Sequence, residues 1–380
     1  MEKKSNIDIL LYIPHNDSYK SNCEAFNKNY TQFSIQLDNI IYPTYVTSYH
    51  NKSLNFECLN KNTNSKLILF WNQFFDDPEF GFGSGYSKPF KNHNCPVTNC
   101  EITTDRRRLK ESNIIVFHMQ NRIDRYPEYR HPDQEWVFFL YESPKHSNSF
   151  IELNGIFNTS ATYLLKSDYT SIYYSSFEWG YNSFYDENKD FSSNKSGFAA
   201  AIISNCDDNS RRLDYIKELQ KYISVHIYGK CGKPCPVENC REFISKRYKF
   251  LLAFENSVCK DYITEKFFNT LQYDIIPVVY GGGSYEKHVP PSGFINELKY
   301  DSLEDLANYL KYVDSNKTAY NSYFKWKKYL LYDQKATSRG VFCEMCIKLN
   351  LNFYLGIKRT VIRDFEEFWN DDKSCYPVLI

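Results

Sequence analysis

The chain has no run approaching the ~20 consecutive apolar residues of a membrane span. It has no excess of either charge, with 46 Lys and Arg against 46 Asp and Glu. Glycine is sparse, at 14 residues in 380, and no His pair stands at zinc-finger spacing. The first absence predicts no membrane contact by these residues. No signal peptide precedes the strand-like run 7–13. The charge balance gives nucleic acid no electrostatic footprint. Without the His pair, Cys95 and Cys100 are expected to close a small disulfide loop more readily than to hold zinc.

What is abundant is aromatic: 33 Tyr and 29 Phe, and ring-rich grooves suit sugars. Twelve cysteines, an even count, fit an oxidising compartment better than the cytosol. Asn16, Asn29, Asn51, Asn158, Asn194 and Asn316 each begin an Asn-x-Ser/Thr sequon, as expected of a secreted or lumenal protein. The length suits two domains of ordinary size, each able to bury its own core.

The stretch 250–280, FLLAFENSVCKDYITEKFFNTLQYDIIPVVY, organises the rest. Its apolar start predicts a strand that Glu255, Asn256 and Ser257 interrupt. Asp261 is a good N-cap for a helix whose Phe267, Phe268 and Leu271 share a face, and a second strand follows from 275. In such a unit the loop after the first strand lies at the carboxyl edge of a parallel sheet, where ligands bind. A helix start attracts phosphate. Lys266 adds charge, Glu265 a carboxylate for sugar or ribose hydroxyls, and Tyr262 a ring with a hydroxyl. By spacing alone the same residues also suit a solvated helix end.

The strings AFENS (253–257) and CKDYITEK (259–266) resemble the signature of the α1,3-fucosyltransferases that use GDP-fucose. The likeness continues through PVV (277–279), residues 290–295 and 306–310, YNSYFKW (320–326) and the Cys343-x-x-Cys346 pair, covering most of 66–350. It implies two facing Rossmann-like α/β domains of the GT-B type. Boundaries fall at 1–185 for an acceptor domain and 186–350 for a donor domain, with 351–380 crossing back toward the first.

Along the first domain, apolar runs at 66–71, 113–118 and 136–141 predict strands. The loop 72–94, with Gly81, Gly83 and Gly85 and several aromatics, is expected on the surface near the acceptor. Glu142 ends an apolar strand, where partial dryness makes a carboxylate a better base. LYESP (140–144) is similar to the family's strand-end motif, which implies that Glu142 is the catalytic base. Where the family has a charged Tyr-Arg-x-Asp-Ser segment, this chain has Leu164, Leu165 and Lys166. Residues 181–196 read as a linker. Beyond them strands are predicted at 198–203 and 225–228, with Arg211 and Arg212 at a helix start suited to bidentate phosphate contact. The resemblance gives that role to Arg212.

The resemblance implies inverting transfer of L-fucose from GDP-β-L-fucose in α1,3 linkage to a GlcNAc of a glycoprotein glycan. Glu142 acts as base, and Arg212, Asn256, Tyr262, Glu265 and Lys266 bind the donor. Cys231, Cys235, Cys240 and Cys259 resemble the cysteines of the family's invertebrate core-type branch, which implies the innermost N-glycan GlcNAc, with outer antennae or a silent glycan-binding relative as alternatives. With no Asp-x-Asp motif in a metal-binding context, no metal site is expected and no cofactor required, although divalent cations such as Mn2+ can stimulate the family. The implied location is the Golgi lumen, either as the lumenal part of an anchored protein or as a soluble form.

Overall fold

The computed structural model describes residues 59–61, 64–169, 182–332, 340–350 and 361–376, with backbone strands at Ser34–Leu37, Ile40–Pro43 and Phe177–Trp179. The expected strand over 7–13 and the sequons at Asn16, Asn29 and Asn51 lie outside the described residues. Two compact units result. One is drawn from the described residues of Pro43–Glu178 and Asp333–Asn370, the other mainly from those of Trp179–Tyr332 and Asp371–Ile380.

In the first unit, runs such as KLILF, IIVFH and EWVFFL become buried strands because both faces of a parallel sheet are covered. Its strands are β1 (Lys66–Phe70), β2 (Gly85–Tyr86), β3 (Cys100–Thr103), β4 (Ile114–His118), β5 (Glu135–Leu140) and β6 (Thr159–Thr162). They lie in the order β2-β3-β1-β4-β5-β6, with only the short β2 antiparallel. Side chains alternate across β5. Phe139 stacks on Phe342 of helix Gly340–Asn350 at 5.8 Å on one face. Phe138 meets Phe157, Phe365 and Trp369 on the other. β3 and β6 escape the apolar-run criterion because TSAT and CEIT carry little apolar surface.

Two sequence expectations change here. The loop 72–94 is not simply surface: Phe80, Phe82 and Phe90 are at most 3% exposed. Phe80 and Phe82 pack on Phe342 at 5.8 and 5.1 Å, while Phe75 and Tyr86 remain outside. Nor do Cys95 and Cys100 bridge each other. They reach Cys343 and Cys346, which lie one helical turn apart and so present both thiols on one face. These links explain why 340–350, expected with the donor domain, packs in the first unit. The loops closed interleave and share almost all their length, with separations of 248 and 246 residues. Removing either bridge alone therefore releases little further chain entropy, whereas removing both should cost about 2–5 kcal/mol. Urea unfolding of the two single Ser pairs and their combination will show that non-additivity.

The second unit has strands β7 (Gly197–Ile202), β8 (Val225–Tyr228), β9 (Tyr248–Phe254), β10 (Ile276–Tyr280) and β11 (Ile295–Asn296). All are parallel in the order β8-β7-β9-β10-β11. Helices Arg212–Leu219 and Leu303–Ser315 bury Ile216, Leu219, Leu306 and Leu310 against one face. Helix Cys240–Arg247 covers the other through Ile244. The expected linker belongs to this unit rather than standing apart: Phe191 stacks on Phe324 at 4.3 Å and Asp190 pairs with Lys317 at 2.9 Å. Cys206–Cys231 joins the loops beyond β7 and β8, and Cys235–Cys240 closes a short loop. Among the described residues no helix is long and apolar enough to cross a membrane.

Candidate active site

In the second unit β7 and β9 are neighbours, with β8 outside β7 and β10 outside β9. The chain direction across the sheet reverses between them, which opens a crevice at their carboxyl ends. The loop leaving β7 delivers Arg212 and the loop leaving β9 delivers Lys266. Ser210 N donates to Asn256 O at 3.1 Å, tying the two loops together.

Arg212 is 3% exposed. Its Nη1 donates to Phe254 O at 2.8 Å, and its Nε lies 2.7 Å from Asp208 Oδ2. Asp208 is itself held by the Ser210 hydroxyl at 2.6 Å. The guanidinium is thus fixed before any ligand arrives. Its neighbour Arg211, in the left-handed region at φ 50°, points its charge to Asp214 at the surface.

Helix Glu265–Leu271 begins later than expected. Thr264, not Asp261, is the N-cap, and Asp261 has φ 61° in the preceding turn. Thr264 is held by Glu255, which is fully buried just past β9. Glu255 Oε1 accepts from Thr264 N at 2.8 Å, and Glu255 Oε2 accepts from Thr264 Oγ1 at 2.8 Å. Lys266 Nζ lies 3.2 Å from Glu255 Oε2, 2.9 Å from Thr264 Oγ1 and 3.3 Å from Glu265 Oε1. Burial opposes the ammonium, but the carboxylates of Glu255 and Glu265 outweigh it and hold Lys266 above its ordinary range. Burial pushes the Glu255 carboxyl up, with Lys266 pulling it back. For Glu265, burial raises the carboxyl, but Lys266 and then Arg241 outweigh it and bring it below its usual value.

Arg212, Asn256, Glu265 and Lys266 are therefore brought together, with Asn256 half-buried between the loops. Tyr262 differs from expectation: at 2% exposure its ring lies in the interior. Glu255, Thr264 and Asp208 were not singled out in the sequence. A signal existed for Glu255, a carboxylate directly after an apolar strand, the same feature that marked Glu142.

The glycines at 281–283 admit this loop rather than an open approach. A Cβ on Gly282 would stand 2.5 Å from Cys259 O, and one on Gly283 2.2 Å from Ile263 Cγ1. The same loop is clamped from its other side by Cys259–Cys375 and by hydrogen bonds from Lys260 N to Ser374 O and from Tyr376 N to Val258 O, both 2.7 Å. Gly282→Ala should destabilise the fold by about 2 kcal/mol or more, since backbone rather than a flexible side chain must yield. A thermal unfolding midpoint unchanged from the parent would contradict that.

In the first unit, Glu142 lies half-buried two residues past β5, beside Tyr141. Tyr141 packs on Phe139 and Phe74 at 4.6 and 6.1 Å. At the end of β4, His118 exchanges two 2.8 Å backbone hydrogen bonds with the Asn72 amide. Its ring, 1% exposed, sits 4.6 Å from Phe74 and 5.1 Å from Phe75. Where the family's charged segment was expected, Leu164 is buried at 4% and Lys166 Nζ sits over the Phe368 ring at 4.8 Å.

Burial pushes the His118 imidazole down to about 4, against the hydrogen bonds of Gln73 and Asn121. In the unfolded chain it protonates near 6.5. The unfolded state thus takes up the proton first, so this contribution is complete above 6.5 and is lost as pH falls toward 4. The loss should approach about 2–3 kcal/mol. Urea midpoints across that window will fall for the parent and flatten in His118→Gln.

Two units with Rossmann-like parallel sheets, the second carrying an Arg and Lys pair at its switch point, define a glycosyltransferase fold of the GT-B type. A solved structure titled "Crystal Structure of alpha1,3-Fucosyltransferase with GDP" shares it, at 17% identity and TM-score 0.50, covering 77% of this chain and 93% of that one. Residues 63–174 match the model "Fucosyltransferase, N-terminal" and residues 192–369 the model "Glycosyltransferase family 10 (fucosyltransferase) C-term". The chain belongs to glycosyltransferase family 10, the fucosyltransferases. It is similar to alpha-(1,3)-fucosyltransferase C of Drosophila melanogaster, 30% identical over 80% of this chain and 78% of the relative. Glycoprotein 3-alpha-L-fucosyltransferase A of the same organism is 35% identical over 84% of this chain and 63% of its own length. The human 4-galactosyl-N-acetylglucosaminide 3-alpha-L-fucosyltransferase FUT6 is 34% identical over 74% and 78%. Among the described residues no group of three or more His, Cys, Asp or Glu is placed to hold a metal ion.

Proposed function

We propose that this chain transfers L-fucose from GDP-β-L-fucose to a GlcNAc hydroxyl in α1,3 linkage, with inversion at the anomeric carbon. The observation that carries the reading is the Arg212 and Lys266 pair at the carboxyl edge of β7 and β9. Two fixed cations there suit the diphosphate of a nucleotide sugar, whose negative charge grows as it departs. Glu142 takes the proton of the acceptor hydroxyl, whose oxygen forms the new bond to the anomeric carbon. The bond to the β-phosphate oxygen breaks, and GDP leaves with the electron pair. Asn256 and Glu265 hold the nucleotide and fucose hydroxyls, and Tyr262 shapes the wall behind them. The cations stand where a metal would otherwise offset charge, so no cofactor is required.

The innermost GlcNAc of an N-glycan is the acceptor we favour. The 35% identity to glycoprotein 3-alpha-L-fucosyltransferase A supports a glycoprotein acceptor, and the cysteine pattern supports the innermost position. The 34% identity to FUT6, named for a galactosyl-N-acetylglucosaminide acceptor, supports an outer antenna as the second reading. Five disulfides among the described residues and the sequons favour the Golgi lumen. GDP release from GDP-fucose, measured with a panel of core and antenna acceptors, tests the proposal. Turnover on one class identifies the branch. GDP-fucose binding without turnover on any acceptor would leave a glycan-binding relative, and no donor binding would refute the donor assignment.

A further inference from the structure

The reaction as proposed uses Lys266 but leaves Glu255 without a role, although Glu255 is a fully buried carboxylate in contact with that lysine. Its environment offers donors only. Thr264 N and Thr264 Oγ1 approach Oε1 at 2.8 and 3.0 Å, and Thr264 Oγ1 and Lys266 Nζ approach Oε2 at 2.8 and 3.2 Å. A carboxylate that receives a backbone amide, a hydroxyl and an ammonium is held in one orientation. Its backbone is equally fixed, because Glu255 N donates to Tyr280 O at 2.9 Å and extends the sheet by one residue. The Lys266 ammonium has three protons. Two are directed to the Glu255 and Thr264 pair and the third to Glu265, whose side chain is 45% exposed. Only the Glu265 contact lies at the open side.

We infer that Glu255 is a positioning residue. It anchors the Lys266 ammonium through a direct ion pair and a Thr264 hydroxyl relay, so that the remaining proton faces the diphosphate of the donor. The inference rests on the proposed reading of Lys266. The anchor is built into the sheet edge, whereas Glu265 can turn away when a phosphate arrives. Thr264 joins the two roles, since its hydroxyl both caps the helix and relays the lysine to Glu255. The groups facing this pair are Arg212 from helix Arg212–Leu219, Glu265 from its own helix, and the buried Tyr285 beyond β10. Arg241 from helix Cys240–Arg247 acts on Glu265. None of these replaces Glu255, because Arg212 repels the ammonium and Glu265 is on the ligand side.

The test compares the full chain with Glu255→Gln, Glu255→Asp, Thr264→Val, Lys266→Ala and the Glu255→Gln/Lys266→Ala double variant. Two readouts are used: GDP release across pH 6–9, and pH-dependent acetylation of Lys266 by acetic anhydride, read by peptide mass spectrometry. Glu255→Gln keeps the shape but removes the counter-charge. It should move the acetylation profile to lower pH and reduce kcat by about tenfold at pH 6 and about a hundredfold at pH 9, with a smaller change in donor KM. Glu255→Asp should restore part of the loss. Thr264→Val should shift the profile in the same direction by less, and it serves where the glutamine variant fails to fold. In the Lys266→Ala background the Glu255 change should cost no further activity, because it acts through the lysine. An unshifted acetylation profile, or a full additional loss in the double variant, would overturn the positioning role. A shifted profile with unchanged turnover would support the anchor and refute the part given to Lys266 in transfer.

Discussion

Glu142→Gln is expected to lower turnover about 10²- to 10⁴-fold, the usual loss when a general base is removed, while leaving GDP binding within a few-fold of the parent. The reasoning is local. Glu142 lies two residues past the buried strand β5 and belongs to the first unit, whereas the cations proposed to hold the diphosphate belong to the second. Amide for carboxylate keeps the volume and removes only the capacity to take a proton. The acceptor oxygen must then attack while still protonated, and the barrier rises in the chemical step rather than in donor binding. Parallel measurements of GDP affinity by calorimetry and of GDP release with acceptor separate the two effects. A variant that loses both together would point to a collapsed first unit, and one that loses neither would remove Glu142 from the mechanism.

Lys266→Ala is expected to act on activity and on stability together. Loss of a cation proposed to face the leaving group should cost about 10²- to 10³-fold in kcat/KM. Loss of the partner of a fully buried carboxylate should cost about 3–5 kcal/mol of folding free energy, because Glu255 is then stranded in the interior. The pH dependence identifies the cause. Burial already raises the folded Glu255 carboxyl above its unfolded value of 4.5, and removing the lysine takes away the attraction that opposed the rise. The folded variant therefore binds a proton more tightly than the unfolded chain. Its deficit should be smallest below pH 4.5 and should grow as pH rises. Urea midpoints at acidic and neutral pH check this. A deficit independent of pH would mean that Glu255 is not the stranded group.

Much of the architecture could be read from the chain. The runs at 66–71, 113–118, 136–141, 198–203, 225–228, 250–254 and 275–280 all became strands within a residue or two. A parallel strand covered on both faces must be apolar throughout, and such runs stand out in a polar, tyrosine-rich chain. The helix starting at Leu303 likewise carries its start signal locally, with Ser302 accepting from Asp305 N at 3.1 Å. The strand Thr159–Thr162 was not. Its backbone finds its partner in β5, and its small hydroxyl side chains announce nothing in sequence.

The sequence by itself determined the order of the apolar strands, the family signature and the residues that signature names, because each rests on neighbours along the chain. Only the tertiary structure decided which cysteines pair. Cys95 and Cys100 are five residues apart, yet the helix Gly340–Asn350 presents two thiols to them on one face. It also decided that the glycines at 281–283 make room for the loop 259–263, since that contact joins segments about twenty residues apart. The same holds for Lys266. Sequence marks it as a cation one turn from a helix start, but its setting comes from Glu255 across the loop and Arg212 from another helix. Electrostatic environment depends on distance through space and on burial, and neither is written in the spacing of residues along the chain.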